Sequence, residues 1–503
     1  MKVMIGYPPV VSNKGVPLLS QNRQFQWFNK PTYIYPMVPA YAATLARQAG
    51  HEVFWADGIA EKWTPEQFEE QYVKFAPDVF MVEAKTPIIK QYWKVIRRLK
   101  EIHQACQIVL CGDHVTALPE ESMQNCPVDY ILTGGDYDFL LVDLLDRLEG
   151  KKESFTDANP RSAFRVPRSN ALPPGIYFRE QGVIRNTGPS QLSHDLNDLP
   201  MIDRDLTRWQ LYSTENGNFK YTPGTYTMVG RDCWWGKCSF CSWTTLYNNW
   251  RTQSPEKLLD EIDHIVSRYH VREIFDDTGT FPVGKWLNDF CDGMISRGLN
   301  SKVTLGCNMI PGVLSEEDYD RMARAGFRFV LFGLESADQL TLDRIHKCGK
   351  AKDIENSMRM AKKAGLEPHV TCMVGYPWET RQQAQATIDL TRRLFDRGYI
   401  DTLQATVVIP YPGTPLFQEC RKNGWLKMED WDRYDMREPV MKTEMTDAEI
   451  MGLTRGIYKS FLTPRFVVRK LLKIRRWEDI LYYWRAALRV LNHLLDFRGN
   501  YSN

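Results

Sequence analysis

Three cysteines, Cys233, Cys238 and Cys241, fall within nine residues in the stretch 231–243, RDCWWGKCSFCSW. If they share a metal, the backbone around them must bring three thiols to one point. Soft thiolate ligands suit zinc or an iron–sulfur cluster. Structural zinc takes four closed ligands, commonly from two close pairs. No fourth Cys or His follows at such a spacing, and the next histidines, His264 and His270, lie within or just beyond a segment of helical periodicity. Three thiolates can instead hold three irons of a four-iron cluster and leave the fourth open to a substrate or cofactor. The run before the loop, residues 226–230, is apolar and β-rich, so the loop is expected to leave the end of a strand. Gly236 relieves crowding where backbone wraps a cluster. Phe240 and Trp243 would give it a dry wall, which tunes its potential.

Strand and helix patterns alternate on both sides of this loop. In residues 1–145 strands are predicted at 2–6, 52–56, 78–82, 107–111 and 130–132, with helices at 39–49 and 87–103. Such alternation predicts a doubly wound parallel sheet, whose ligands sit beyond the strands' carboxyl ends. The loops there are 7–9, 112–122 and 133–138, for which ordinary turns are the plain reading. Residues 146–222 are charged and turn-rich and read as a linker, with a hairpin near 175–183.

Alternation resumes over residues 223–430. Strands at 226–230, 273–275, 302–305, 329–332, 369–373 and 402–408 make six βα units. That number suggests a partial, open barrel of the TIM type with its chemistry at the strand carboxyl ends. Those ends carry Asp276 and Asp277, Asn308, Glu335 and Ser336, then GYPWET at 375–380 and PYPGTPL at 410–416. Helix capping by Asp277 or Ser336 is the alternative to ligand contact. Residues 431–503 read as helical, with Thr446 as an N-cap and Glu449 at the capping-box position. The basic and apolar stretch 465–477 suits a helical cap on the barrel, or a membrane surface.

The cysteine loop resembles the cluster loop of radical S-adenosylmethionine (SAM) enzymes, whose open iron chelates SAM. Four residues separate Cys233 from Cys238, where the common pattern has three. The layout GYPP, PAYAATLARQAGHEV, GDHVTALPEE and VDYILTGGDYD resembles the cobalamin-binding domain found in front of many radical SAM cores, without its DxHxxG signature. Residues 191–206 resemble the segment that leads into such cores. The chain is thus identified as a member of the cobalamin-binding-domain radical SAM family.

The resemblance implies a Rossmann-like, doubly wound α/β cobalamin-binding domain at 1–145, a linker and lead-in at 146–222, a radical SAM core, a partial (β/α)6 barrel, at 223–430 and a helical region at 431–503. It implies a [4Fe–4S] cluster on Cys233, Cys238 and Cys241, and SAM near Asp276, Asp277, Asn308, Glu335 and Ser336. It implies cobalamin near Tyr7, Gly112, His114, Gly134 and Gly135, with His114 a loop residue rather than a cobalt ligand. The implied activity is reductive cleavage of SAM to a 5′-deoxyadenosyl radical, used for cobalamin-dependent methylation of an unactivated carbon. A radical cyclase or rearrangement enzyme of natural-product, tetrapyrrole or lipid biosynthesis is the second reading, and a non-catalytic zinc or cluster scaffold the third. A small-molecule substrate and an external electron donor such as flavodoxin or ferredoxin follow.

Composition narrows the setting. A formal net charge of +2 argues against a general nucleic-acid binder. No apolar run reaches about 18 residues, so no membrane span is expected. The start of the chain reads as a strand and not a signal peptide. Eleven cysteines fit a reducing cytoplasm, with peripheral membrane contact through the basic tail as the open alternative. The other eight, including Cys348, are scattered, so no auxiliary cluster is expected.

Overall fold

The computed structural model describes residues 1–19, 25–150, 172–247 and 249–460, with Ile474 and Ile480. The basic stretch predicted at 465–477 and most of the turn-rich linker segments lie outside the described residues.

The first sheet contains β1 (Lys2–Tyr7), β4 (Glu52–Asp57), β5 (Val79–Glu83), β6 (Gln107–Cys111), β7 (Tyr130–Leu132), β8 (Ile176–Glu180) and β9 (Val183–Asn186). A short antiparallel pair, β2 (Val16–Pro17) and β3 (Trp27–Phe28), stands apart from it. The order is β4-β1-β5-β6-β7-β8-β9. The first five run parallel, and β8 and β9 add an antiparallel hairpin at one edge. All five residues of β5 are buried, and the first four, VFMV, are the unbroken apolar run expected of a parallel strand covered on both faces. The helix Met37–Gln48 buries ten of its residues between this sheet and the helix Tyr137–Leu148. The order reverses at β1 and β5, so the switch point where such sheets take ligands lies beyond Tyr7 and Glu83.

The second sheet is β10 (Gly224–Thr227), β13 (Glu273–Asp276), β14 (Thr304–Met309), β15 (Phe327–Glu335), β16 (Glu367–Val374) and β17 (Thr402–Val407), paired in that order and parallel throughout. A two-stranded pair, β11 (Gly230–Arg231) with β12 (Arg251–Thr252), flanks its mouth. The outer strands β10 and β17 are not paired, which leaves the barrel open. Tyr226, Phe275, Phe329 and His369 contact one another in sequence, with ring centroids 5.7–5.9 Å apart, and fill its interior. Arg328, bonded to Glu273 at 2.9 Å, closes the end where the strands begin, leaving the opposite end for chemistry. Ser254 caps the helix Pro255–Tyr269 by accepting from the Lys257 N–H at 3.3 Å.

Two local expectations shift. The strand predicted at 226–230 ends at Thr227, because the Asp276 carboxylate takes the Val229 N–H (3.0 Å) out of the ladder while also accepting from the Thr227 hydroxyl (2.9 Å). The stretch 112–122, expected as a loop, is mostly two short helices, Asp113–Ala117 and Pro119–Asn125. Proline at a first helical turn gives up a donor that has no intrahelical partner anyway. Among the described residues no helix is long and apolar enough to cross a membrane.

Candidate active site

The cysteine loop leaves a strand as expected, the two-residue β11 that follows β10. Cys233, Cys238 and Cys241 line one cavity at the carboxyl end of the barrel, with about 1260 Å³ of atom-free space, part of it open to solvent. The Cys233 thiol lies 3.1 Å from the Thr280 hydroxyl, and the Cys241 N–H donates to the Cys238 carbonyl at 3.2 Å. Burial pushes the Cys238 thiol up to about 12, a shift the Lys347 ammonium opposes. Gly236 sits at φ 57°, in the left-handed region glycine adopts without penalty. Phe240 and Trp243 line the cavity. So does Asp232, whose carboxylate accepts from the Cys233 N–H at 2.7 Å and whose carboxyl burial pushes up to about 6.

The acids and amides expected near SAM divide into two groups. Asp277, Asn308 and Glu335 line the cavity. The Asn308 amide donates to the Thr278 carbonyl at 2.9 Å. Glu335 adopts φ 59°, uncommon for a residue with a side chain, and its carboxylate accepts from the buried Lys347 ammonium at 2.8 Å. Burial works against that ammonium, but Glu335 and the nearby thiols hold it well above the usual lysine range. Asp276 and Ser336 are occupied elsewhere. Asp276 ties β10 to β13 as described, and the Ser336 hydroxyl accepts from the Asp338 N–H at 3.1 Å and meets the Thr387 hydroxyl at 3.3 Å. In the GYPWET turn, Glu379 accepts from the Gly375 N–H at 2.7 Å, and burial pushes its carboxyl up to about 7.

The residues expected near cobalamin lie along the carboxyl edge of the first sheet. The Tyr7 hydroxyl bonds the Glu83 carboxylate across the switch point, and the second Glu83 oxygen, Oε1, is buried with no hydrogen-bond partner. Gly112 sits at φ 113°, where a Cβ would come 2.5 Å from the Ala84 carbonyl oxygen. His114 has both ring nitrogens engaged, with Thr86 at 3.2 Å and Glu121 at 3.1 Å, and its ring packs edge-on against Trp431. Gly134 donates its N–H to the Thr116 hydroxyl at 3.1 Å, and a Cβ on Gly135 would fall 1.9 Å from the Tyr247 ring. Lys85 and Asp113 form a buried ion pair at 3.3 Å on the same edge.

That edge packs against the mouth of the barrel. Gly135 donates its N–H to the Leu246 carbonyl at 2.9 Å. Asp136 accepts from Arg231 at 2.9 Å and from Arg251 at 2.7 Å, and Asp138 accepts from Arg231 at 2.8 Å. Burial alone would raise the Asp136 carboxyl, yet Arg231, His194 and Arg251 hold it well below the usual carboxylate range. Local sequence reasoning singled out neither these pairs nor Lys347, Asp232 and Thr280. Only their neighbours, the TGGDYD, cysteine and FDDTGTF stretches, carried a signal.

Comparison with known proteins agrees with this geometry. The B12 binding domain model matches residues 31–139, and the Radical SAM superfamily model matches residues 227–391. An uncharacterized methyltransferase of Pyrococcus horikoshii is 28% identical over 443 residues, covering 87% of this chain and 90% of the relative. The anaerobic magnesium-protoporphyrin IX monomethyl ester cyclase of Cereibacter sphaeroides is 25% identical over 470 residues, covering 92% and 71%. Among solved structures, the cobalamin-dependent SAM radical enzyme OxsB, with aqua-cobalamin and SAM bound, superposes with a TM-score of 0.68 at 15% identity, covering 98% of this chain and 72% of OxsB. The radical SAM methyltransferase TsrM of Kitasatospora setae, with cobalamin and a [4Fe–4S] cluster bound, gives 0.65 at 12% identity, covering 98% and 99%. The chain belongs to the B12-binding-domain radical SAM enzymes, which work with a [4Fe–4S] cluster, SAM and cobalamin.

The residues present fit those groups. Among the described residues, three cysteines line the cavity, a donor set that would leave one iron open. The buried Glu83 oxygen without a partner lies at the switch point, where a ligand with N–H donors would satisfy it.

Proposed function

We propose that this chain methylates an unactivated carbon of a small molecule, drawing on cobalamin and on radical cleavage of SAM. One observation supports the reading most: three cysteines line a cavity at the carboxyl end of the barrel, and the carboxyl edge of the first sheet is bonded beside that mouth through Gly135 and Leu246. Cys233, Cys238 and Cys241 would hold the cluster. Asp277, Asn308 and Glu335 border the space beside it, where carboxylates and an amide suit the ammonium and hydroxyls of SAM. Asp276 and Ser336 would act behind them by fixing the strand ends. Tyr7, Glu83, Gly112, Gly134 and Gly135 border the cobalamin side, and His114, engaged at both nitrogens, serves as a structural residue there. When bound, the three groups supply one-electron cleavage of SAM and a transferable methyl group. The chain's own part is to exclude water and hold the reactants in line, with Phe240, Met309, Ile409 and Met436 as apolar walls. An external one-electron donor, flavodoxin- or ferredoxin-like, would supply the electron.

Radical cyclisation is the second reading, supported by likeness to the cyclase over nearly the whole chain. Anaerobic reconstitution with iron, sulfide and hydroxocobalamin, followed by reduction with SAM and a panel of small-molecule substrates, separates the two. Release of 5′-deoxyadenosine with a product one methyl heavier supports methylation. Product without added methyl supports cyclisation or rearrangement. A chain that takes up zinc but no iron, and cleaves no SAM, overturns both.

A further inference from the structure

The loop that carries the cysteines also reaches the surface. Gly236 and Lys237, directly before Cys238, are exposed. The Lys237 ammonium lies 4.9 Å from the centre of the Trp235 ring, and Trp235 donates its indole N–H to the His346 carbonyl at 2.6 Å. The Ser239 N–H donates to the Ile345 carbonyl at 3.0 Å. These bonds hold Ile345 and His346, near the start of the segment 344–352, RIHKCGKAK, against the outer side of the cysteine loop. That segment has basic side chains at five positions and no acid. Lys347 turns inward to Glu335, while Arg344, His346, Lys350 and Lys352 are exposed. Arg344 lies 3.9 Å over the Trp378 ring and pairs with Glu419 at 2.9 Å, with 42% of its side chain still accessible. Acids also border this rim: the exposed Asp343 accepts from Gln339 at 2.7 Å, and the half-buried Asp338 lies beside Lys350 and Lys352. Tryptophan and arginine are the residues most enriched where proteins bind one another.

We infer that this basic, aromatic rim around Trp235, Lys237, Arg344 and Lys350 is the docking surface for a small acidic one-electron carrier. The inference rests on the proposed cluster site. Electron tunnelling falls steeply with distance, so the carrier must approach the cluster where the least protein intervenes, and here one exposed residue precedes a thiol ligand. Opposite charge then steers and orients the encounter. One electron passes from the reduced flavin or iron–sulfur group of the carrier to the cluster, which oxidises the carrier by one and reduces the cluster by one.

The test uses the full chain, reconstituted with its cluster, and an acidic flavodoxin in its fully reduced form. Anaerobic stopped-flow measurement follows bleaching of the cluster in wild type and in the double variant Arg344→Glu/Lys350→Glu. At low ionic strength the second-order rate constant is expected to fall about tenfold or more in the variant. The wild-type rate is expected to fall with added salt, while dithionite reduces both clusters alike. Carbodiimide cross-linking of unaltered protein to flavodoxin is expected to join Lys237 or Lys350 to a carrier carboxylate, a readout independent of any variant's folding. Equal flavodoxin rates, a wild-type rate indifferent to salt, or cross-links confined to another face would overturn the assignment. Failure to form a four-iron chromophore appears before any carrier is added and counts against the proposed site itself.

Discussion

Arg231 donates from Nη1 to Asp138 at 2.8 Å and to Asp136 at 2.9 Å, with all three side chains almost fully removed from solvent. The aspartates follow β7 of the first sheet, and the arginine stands two residues before Cys233. The position of the cluster loop is therefore set by the cobalamin-side domain. Arg231→Met leaves Asp138 charged and buried without its counter-ion, which costs about 3–5 kcal/mol when a buried pair is broken on one side. The urea midpoint should fall accordingly, and iron uptake on reconstitution should fall with it. An unchanged midpoint would mean the pair holds nothing.

Cys238→Ala removes one of the three thiols proposed to hold the cluster. Iron and sulfide bound after anaerobic reconstitution should drop to a small fraction of wild type, and 5′-deoxyadenosine should disappear, while the far-ultraviolet circular dichroism is retained.

Lining and supporting residues should separate by measurement. Glu335→Gln, Asn308→Ala and Lys347→Met should each weaken SAM binding to the cluster-loaded protein about tenfold or more, read by equilibrium dialysis. Removing a partner from a charge-assisted bond in a dry site costs about 1.5–3 kcal/mol. Asp276→Asn and Ser336→Ala should instead lower thermal stability and leave the SAM affinity of the folded fraction within about threefold. The reverse pattern would place Asp276 and Ser336 in contact with SAM.

Gly135 has no room for a side chain against Tyr247. Gly135→Ala should destabilise by about 1–3 kcal/mol through overpacking. Adding Tyr247→Ala should recover part of that loss, giving a non-zero coupling energy in a double-mutant cycle.

Asp57 is buried, accepts from the Tyr212 hydroxyl at 2.7 Å, and is pushed by burial up to about 6. A folded-state value above the unfolded one means that the native state holds the proton more tightly. Its contribution is present in full below about pH 4 and is lost as pH rises through about 6, an effect of roughly 3 kcal/mol for a shift of this size. Relative to Asp57→Asn, wild type should lose stability between those pH values, measured by melting temperature in matched buffers. A constant difference would place the titration elsewhere.

The parallel strands of both sheets were legible because most of them are short runs rich in apolar and β-branched residues bounded by turn residues. The cysteine loop was legible because its three thiols are local. The errors of register have local causes. Asp276 draws Val229 out of the ladder through its side chain, and strand periodicity carries no trace of that. The same carboxylate shows why adjacent acids were hard to separate: Asp276 is the last residue of its strand and is spent on β10, whereas Asp277, one step on, reaches the cavity. The pairing of Asp138 with Arg231 was invisible because it spans 93 residues, and no local pattern encodes a partner that far along the chain.

That long-range pairing bears on how the chain can be taken apart. Asp136 and Asp138 belong to the first half, and the ionic partners described for them, His194, Arg231 and Arg251, all lie further along the sequence. Until those residues have been synthesised, the nascent first sheet must keep two carboxylates wet that the finished protein keeps dry. The cobalamin-side half is in that sense not a portable cassette, and transplanting it onto another catalytic core requires carrying its arginines along.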